Sequence, residues 1–290
     1  MTERIPLARP QIGEREQQLV AEVLDSGVLS LGPMLSRFEE EIAAWLDAAD
    51  AVAVANGTCA LHLAVRAMGW GEGDQVVTTP LSFVASANCL LYERVTPVFC
   101  DVDPVTLQID AAAAYEAISE STAGLLPVHI FGYPAPIADL EGIAGEGGLG
   151  LVEDACQALG AVDAEGRKVG SRGHPATFAF YANKQITTGE GGIVVPSSPA
   201  MAAAMRSERN QGRAADMGAL EHERIGFNSR LSDVAAAIGV AQLERVGQML
   251  AERSHVAALY GERLGELGGA PAGDGDPYGL VLPCEDRGQE

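Results

Sequence analysis

Between residues 51 and 156 short apolar runs keep alternating with longer segments of helical spacing, and few folds accommodate that order. A short continuous apolar run suits a strand buried on both faces, and the helical stretch after it suits the crossover that a parallel neighbour requires. The runs predict strands at 51–56, 75–80, 96–102, 124–131 and 150–154, with helices at about 58–68, 83–93, 110–118 and 137–144. Upstream, 14–27 and 33–46 have helical spacing; Gly27 closes the first and Pro33 opens the second at a first-turn position. Downstream, 231–264 reads as one long helix with Ser232 or Asp233 as its cap. The implied fold class is α/β, a mostly parallel central sheet flanked by helices. A large domain over 1–245 carries the N-terminal helices, and 246–290, whose tail is rich in Gly, Pro and acids, is expected to begin a C-terminal small domain that stays incomplete.

Composition removes several function classes. A formal net charge of −21 opposes any broad electrostatic grip on nucleic acid or on an anionic membrane. No stretch approaches the length of a membrane span, and the N-terminus lacks an uninterrupted apolar region. Cysteines at 59, 89, 100, 156 and 284 form no CxxC pair and lie mostly in apolar runs, as buried thiols in a reducing compartment do. A cytoplasmic protein is expected. The histidines and cysteines show no metal-ligand spacing, and "MGWGEGDQ" follows a helix and precedes a strand, the reverse of a dinucleotide fingerprint.

Four points then converge on one cofactor. Of 19 basic residues only Lys168 and Lys184 are lysines. Arginine cannot lose its charge, whereas a lysine amine can lose its proton and attack a carbonyl. Lys168 sits in the polar turn "DAEGRKVG", which suits a solvated lysine; Lys184 follows the apolar "ATFAFYAN" and precedes the glycine-rich "ITTGEGG". Asp154 ends a predicted buried strand, where it caps the next helix or holds a proton on a pyridine nitrogen. In "ANGTCALHLAV" a strand runs into a helix at Gly57 and Thr58, a junction that serves as a plain cap or as an anion site. Phe83 follows the strand ending at Pro80 and either packs in the core or lies against a planar heterocycle. An aldehyde partner, a pyridinium partner, a phosphate site and a stacking face together are what pyridoxal 5'-phosphate requires.

The blocks "IPLARPQIGERE", "LSLGPMLSRFEEEIAAWL", "ANGTCALHLAVRAMGWGEGDQVVTTPLSFVASAN", "PVFCDVDPVTLQID", "PVHIFGYPAPI", "VEDACQALGA", "KQITTGEGGIVV" and "GFNSRLSDVAAAIGVAQLE" occur in one order over residues 4 to 260. In that order they resemble the DegT/DnrJ/EryC1/StrS family of sugar aminotransferases, members of the type I pyridoxal phosphate fold. The resemblance implies that Lys184 bonds the cofactor aldehyde and shuttles a proton, and that Asp154 faces the ring nitrogen. It implies Gln157 near the phenolic oxygen, Phe83 on the ring face, and Gly57 and Thr58 on the phosphate. Asn228 in "GFNSR" would reach the phosphate of a neighbouring subunit, making a homodimer the active unit. The implied substrates are an amino donor, L-glutamate, and a nucleotide-linked keto sugar.

Two departures follow from the same resemblance. The family commonly has serine five positions before the lysine, where this chain has Ala179, and its members continue through a longer C-terminal segment. A catalytically impaired cofactor-binding or regulatory protein is therefore the competing expectation. Dehydratases on this scaffold replace the lysine with histidine, which disfavours that class. Arg206, Arg209, Arg213, Arg224 and Arg230 are interleaved with Glu208, Asp216, Glu221 and Glu223, a pattern that suits a solvated, mutually compensated surface better than a diphosphate site.

Overall fold

A computed structural model describes residues 8–214 and 221–264. Helices α1 (Glu14–Ser26) and α2 (Pro33–Trp45) lead into β1 (Val52–Val54) and α3 (Gly57–Ala67). Then follow β2 (Gln75–Thr78), α4 (Ala85–Tyr92), β3 (Thr96–Phe99), α5 (Ala111–Glu116), β4 (Thr122–Leu125), a 3₁₀ turn at Ile130–Gly132, and α6 (Ile137–Gly147). Strands β5 (Gly150–Leu151), β6 (Glu153–Asp154), β7 (Ala176–Ala179) and β8 (Gly192–Val195) precede α7 (Pro199–Arg209), α8 (Asp233–Leu243) and α9 (Val246–Leu264).

Strands β3-β2-β4-β5 run parallel, as do β6 and β7, while β8 lies antiparallel between β7 and β1. The two groups are one sheet. Only Val152 separates β5 from β6, and its N–H reaches Leu125 O at 3.0 Å; Asp154 N–H reaches Pro127 O at 2.9 Å and His129 N–H reaches Asp154 O at 3.0 Å. The strand expected over 124–131 ends early as regular structure because Pro127 donates no ladder bond and the chain turns at Ile130. The antiparallel β8 was not among the expected strands, since its short apolar run directly follows a glycine-rich turn.

Alternate side chains leave this sheet on opposite faces. Ala51, Ala53, Ile193 and Val195 join the core beneath α1, α2 and α8, whereas Val52, Val54 and Val194 join the core beneath α3, α4 and α7. Both faces are covered, so the strands read as unbroken apolar runs. Among the described residues no helix is long and apolar enough to cross a membrane, and no cluster of His, Cys, Asp or Glu is arranged to hold a metal ion.

The single helix expected over 231–264 is two. The break falls at Glu244 and Arg245, where Glu244 takes a bidentate pair from Arg15 and Arg245 donates to Gln11 O and Glu16, so side chains of α1 and its approach hold the bend. The expected domain boundary at 245/246 coincides with that bend; residues 265–290 lie outside the described ones. Ser232 caps α8 by accepting from Ala235 N–H at 3.2 Å. Asp233, 1% exposed, serves another helix: its carboxylate accepts from Gly32, Met34 and Leu35 N–H at 3.1, 3.3 and 2.8 Å, capping α2 from across the fold.

Arg224 of the arginine-rich segment meets its interleaved neighbour Glu223 at 4.0 Å on the surface, as expected, but Arg206 and Arg209 are paired with acids from elsewhere in the fold. Arg209 is buried against Glu39 and donates to Ala53 O at 2.6 Å, and Arg206 grips Asp50 and Glu39. Glu208 turns to Arg66 at 2.7 Å. Asp216 lies outside the described residues. These pairs clamp α7 to α2 and β1. A hydrogen bond to a charged group carries roughly 1.5–3 kcal/mol and such bonds on one acceptor are not additive, so Asp233→Ala should lower the unfolding free energy by about 3 kcal/mol. Urea unfolding of the two proteins checks it: an unchanged midpoint would refute the long-range cap.

Candidate active site

Because β6 and β7 are parallel and β1 shares their direction, the carboxyl ends of all three open on one edge, the place where open α/β sheets take ligands. Asp154 ends β6, Ala179 ends β7 with Lys184 just beyond it, and β1 feeds the first turn of α3.

Asp154 is 5% exposed. Its Oδ2 accepts the Ser86 hydroxyl at 2.6 Å and its Oδ1 accepts Cys156 N–H at 3.2 Å. Lys184 is partly buried in a turn closed by its N–H on Tyr181 O at 3.0 Å, and Arg253 donates to its carbonyl at 3.1 Å. Burial pushes the Lys184 amine below its ordinary pKa of 10.5, opposed by the Asp154 carboxylate. Asp154 thus acts electrostatically on Lys184. Burial foremost, with the Asp154 charge, raises the Cys156 thiol well above its ordinary range, so no thiolate competes with the amine.

The α3 junction is shaped by close approach. A Cβ on Gly57 would lie 2.6 Å from Ala179 Cβ and 3.3 Å from Cys156 Sγ, and one on Gly192 would lie 2.4 Å from Asn56 O. Only glycine lets β7 and β8 come so near the helix start. Asn56 caps α3 by accepting Cys59 N–H at 2.9 Å, which leaves the first-turn N–H groups of Gly57 and Thr58 directed at the edge.

Gln157 Oε1 accepts Phe131 N–H at 2.8 Å, and its carbonyl accepts from Gln185. With the oxygen engaged, the amide presents its NH₂ as a donor. Phe131 adopts a left-handed φ of 58° to make that contact. Phe83 is 70% exposed and so belongs to no core, which leaves its ring face open. Beyond the lysine loop, Arg9, Gln11, Asn183, Arg253 and Tyr260 line a cleft of about 610 Å³ that also includes Lys184.

The structure brings Gly57, Thr58, Asp154, Gln157 and Lys184 to one edge, with Phe83 on the loop that leads into α4, whose first turn carries Ser86. Asn228 stands apart. It is exposed on a strand-like bridge to Asn210, beside Phe227, which covers Arg66 and His62. Among the described residues no contact links it to Asp154, Gln157 or Lys184. Sequence reading missed Ser86, Cys156 and Arg253. Ser86 is three residues from Phe83 and Cys156 two from Asp154, so proximity to chosen residues was the available signal; Arg253 had none.

Residues 10–277 match the DegT/DnrJ/EryC1/StrS aminotransferase family. The chain belongs to this family. Its reaction class is therefore transamination, and its sheet is that of the pyridoxal phosphate-dependent aminotransferases. Among DegT/DnrJ/EryC1/StrS relatives, GDP-perosamine synthase of Caulobacter vibrioides is 40% identical over 272 residues, covering 91% of this chain and 71% of that protein. Spore coat polysaccharide biosynthesis protein SpsC of Bacillus subtilis is 37% identical over 265 residues, covering 88% and 68%. Among solved structures, S. venezuelae DesV in complex with a ketimine intermediate superposes with a TM-score of 0.88 at 36% identity, covering 94% of this chain and 74% of that one. AtS13 of Actinomadura melliaura gives 0.90 at 32%, covering 98% and 80%.

The depressed Lys184 pKa has a sign that can be measured. Only the neutral amine attacks an electrophile, and burial makes it neutral at lower pH than an ordinary lysine. Peptide-resolved labelling of the cofactor-free chain with an amine-reactive aryl fluoride should rise with pH to a midpoint below 10.5 at Lys184; a midpoint at or above that value would contradict the burial.

Proposed function

We propose that this edge binds pyridoxal 5'-phosphate and that the chain moves an amino group from L-glutamate to a nucleotide-linked keto sugar. The observation that carries the reading is the juxtaposition of a buried carboxylate and a partly buried amine, Asp154 and Lys184, beside the open first turn of α3. The residues present fit the group. Gly57 and Thr58 offer backbone N–H groups, and Thr58 a hydroxyl, to the phosphate; Phe83 offers an exposed ring; Gln157 offers its amide NH₂ to the phenolic oxygen. The two relatives named for perosamine and for spore coat polysaccharide support a sugar acceptor.

When bound, the cofactor supplies an electron sink, its protonated ring taking up the electron pair released at the donor's α-carbon. Asp154, held by two donors and shielded from water, would hold the proton on the ring nitrogen. Lys184 Nζ would anchor the aldehyde and would move the proton from the donor's α-carbon as a general base. Burial suits it to both tasks, because each needs the neutral amine. Phe83 orients the ring plane.

Asn228 is assigned to a neighbouring subunit's phosphate, which makes the active unit a homodimer. Its exposure beside Phe227 and Ile225, 40% and 78% exposed, supports that reading. Free thiols at Cys59, Cys89, Cys100 and Cys156 support a cytoplasmic setting. Residues 1–245 would form the cofactor-binding domain and 246–290 the start of the smaller one.

One observation favours a weaker version. Ala179 Cβ faces the α3 start, so the position that would bring a serine hydroxyl to the phosphate brings a methyl group. A hydrogen bond to a charged group carries roughly 1.5–3 kcal/mol, about one to two decades of affinity, so Ala179→Ser should bind the cofactor about 10- to 100-fold more tightly. Titrating the cofactor-free proteins and following visible absorbance gives both constants, and equal values would remove Ala179 as a handicap.

The function itself is tested by adding L-glutamate to the loaded protein. The visible band should give way to that of the aminated cofactor, and Lys184→Ala should abolish the change. A loaded protein that ignores every amino donor would establish the impaired alternative.

A further inference from the structure

We propose that Ser86 is a positioning residue for Asp154, fixing which lone pair of the carboxylate meets the ring nitrogen of the bound cofactor; this rests on the cofactor reading above. Ser86 and Asp154 are 2% and 5% exposed, so water does not supply the missing bonds of either group. The Ser86 hydroxyl has one hydrogen and two acceptors in reach, Asp154 Oδ2 at 2.6 Å and Phe83 O at 3.2 Å. The shorter contact, to a charged oxygen, takes it. Ser82 Oγ lies 2.7 Å from Ser86 Oγ, so Ser86 accepts there while it donates to Asp154, and each bond polarises the next.

With Ser86 on Oδ2 and Cys156 N–H on Oδ1, rotation of the buried carboxylate would break a charge-assisted bond. Its plane is set, and the lone pairs left over point in fixed directions. The bond at 2.6 Å is the shorter of the two by a wide margin, so Ser86 dominates the setting.

The same turn carries the ring face. Ser86 N–H reaches Phe83 O at 3.1 Å, and Ser82 Oγ also lies 2.8 Å from that carbonyl. One stretch, 82–86, therefore presents the aromatic surface and steers the carboxylate. A shift of this loop would move the group that stacks on the heterocycle and the group that aims at its nitrogen together.

The test compares wild type, Ser86→Ala, Ser86→Cys and Ser86→Thr as cofactor-free proteins. Each is titrated by fluorescence quenching with pyridoxal 5'-phosphate and with its 1-deaza analogue, in which the ring nitrogen is replaced by C–H. Ser86→Ala should bind pyridoxal 5'-phosphate about 10- to 100-fold more weakly, the range expected for one hydrogen bond to a charged group. Ser86→Cys, a near-isostere with a weak donor, should follow alanine, which keeps the test informative if the alanine variant does not fold. Ser86→Thr should restore the wild-type constant. With the deaza analogue all folded variants should bind alike, because the nitrogen that Asp154 addresses is gone. Equal weakening with both cofactors would mean a merely structural serine and would overturn the inference, as would no weakening with either. A wild-type protein that binds neither cofactor would sink the cofactor reading and this inference with it, an outcome distinct from the other two.

Discussion

Asp154 is a carboxylate held almost out of water at the end of a sheet strand, and the surrounding structure answers that constraint. An ionised group in such a place costs several kcal/mol unless donors or a cation offset the lost hydration. Here Ser86 comes from the first turn of α4, Cys156 N–H from the turn after β6, and the Lys184 amine from the loop after β7. The carboxylate gathers three segments far apart in sequence. The same burial that makes the charge expensive leaves the Lys184 amine readier to lose its proton.

The scaffold keeps these segments in register through contacts that leave little room for adjustment. Gly57 and Gly192 allow the start of α3 to sit against β7 and β8 at distances that no Cβ would tolerate. Behind the sheet, Glu39 accepts Ala53 N–H at 2.8 Å and pairs with Arg209, tying α2, β1 and α7 into one unit. Asp233 ties α2 to α8 in the same way. Buried charges of this sort hold direction and spacing, which a purely apolar interface leaves freer.

Ala179 shows how such packing and binding chemistry compete at one position. Its methyl group fills the gap opposite Gly57, where it contributes contact with the helix start but no donor to an anion. The remaining phosphate ligands would be backbone N–H groups and the Thr58 hydroxyl, whose directions are fixed by the helix. Arg253 adds a different link, since its bond to the Lys184 carbonyl connects α9, the last described helix, to the lysine loop.

The sequence by itself determined the α/β layering, because apolar runs alternating with helical segments leave little else for a chain to do. It also marked Lys184, Asp154, Gly57, Thr58 and Phe83, each lying at a strand end or a strand-to-helix junction where local pattern and chemistry coincide. Gln157 and Asn228 were legible only through likeness to a family, and for Asn228 a single chain brings no neighbour from the site. Tertiary structure alone decided that Ser86, 68 positions from Asp154, is its hydrogen-bond partner, that Asp233 caps a helix other than its own, and that the arginines of 206–209 are clamps. Those contacts depend on which crossover lands beside which strand. Local periodicity carries no record of that, because it fixes the face a residue takes but not the residue it meets.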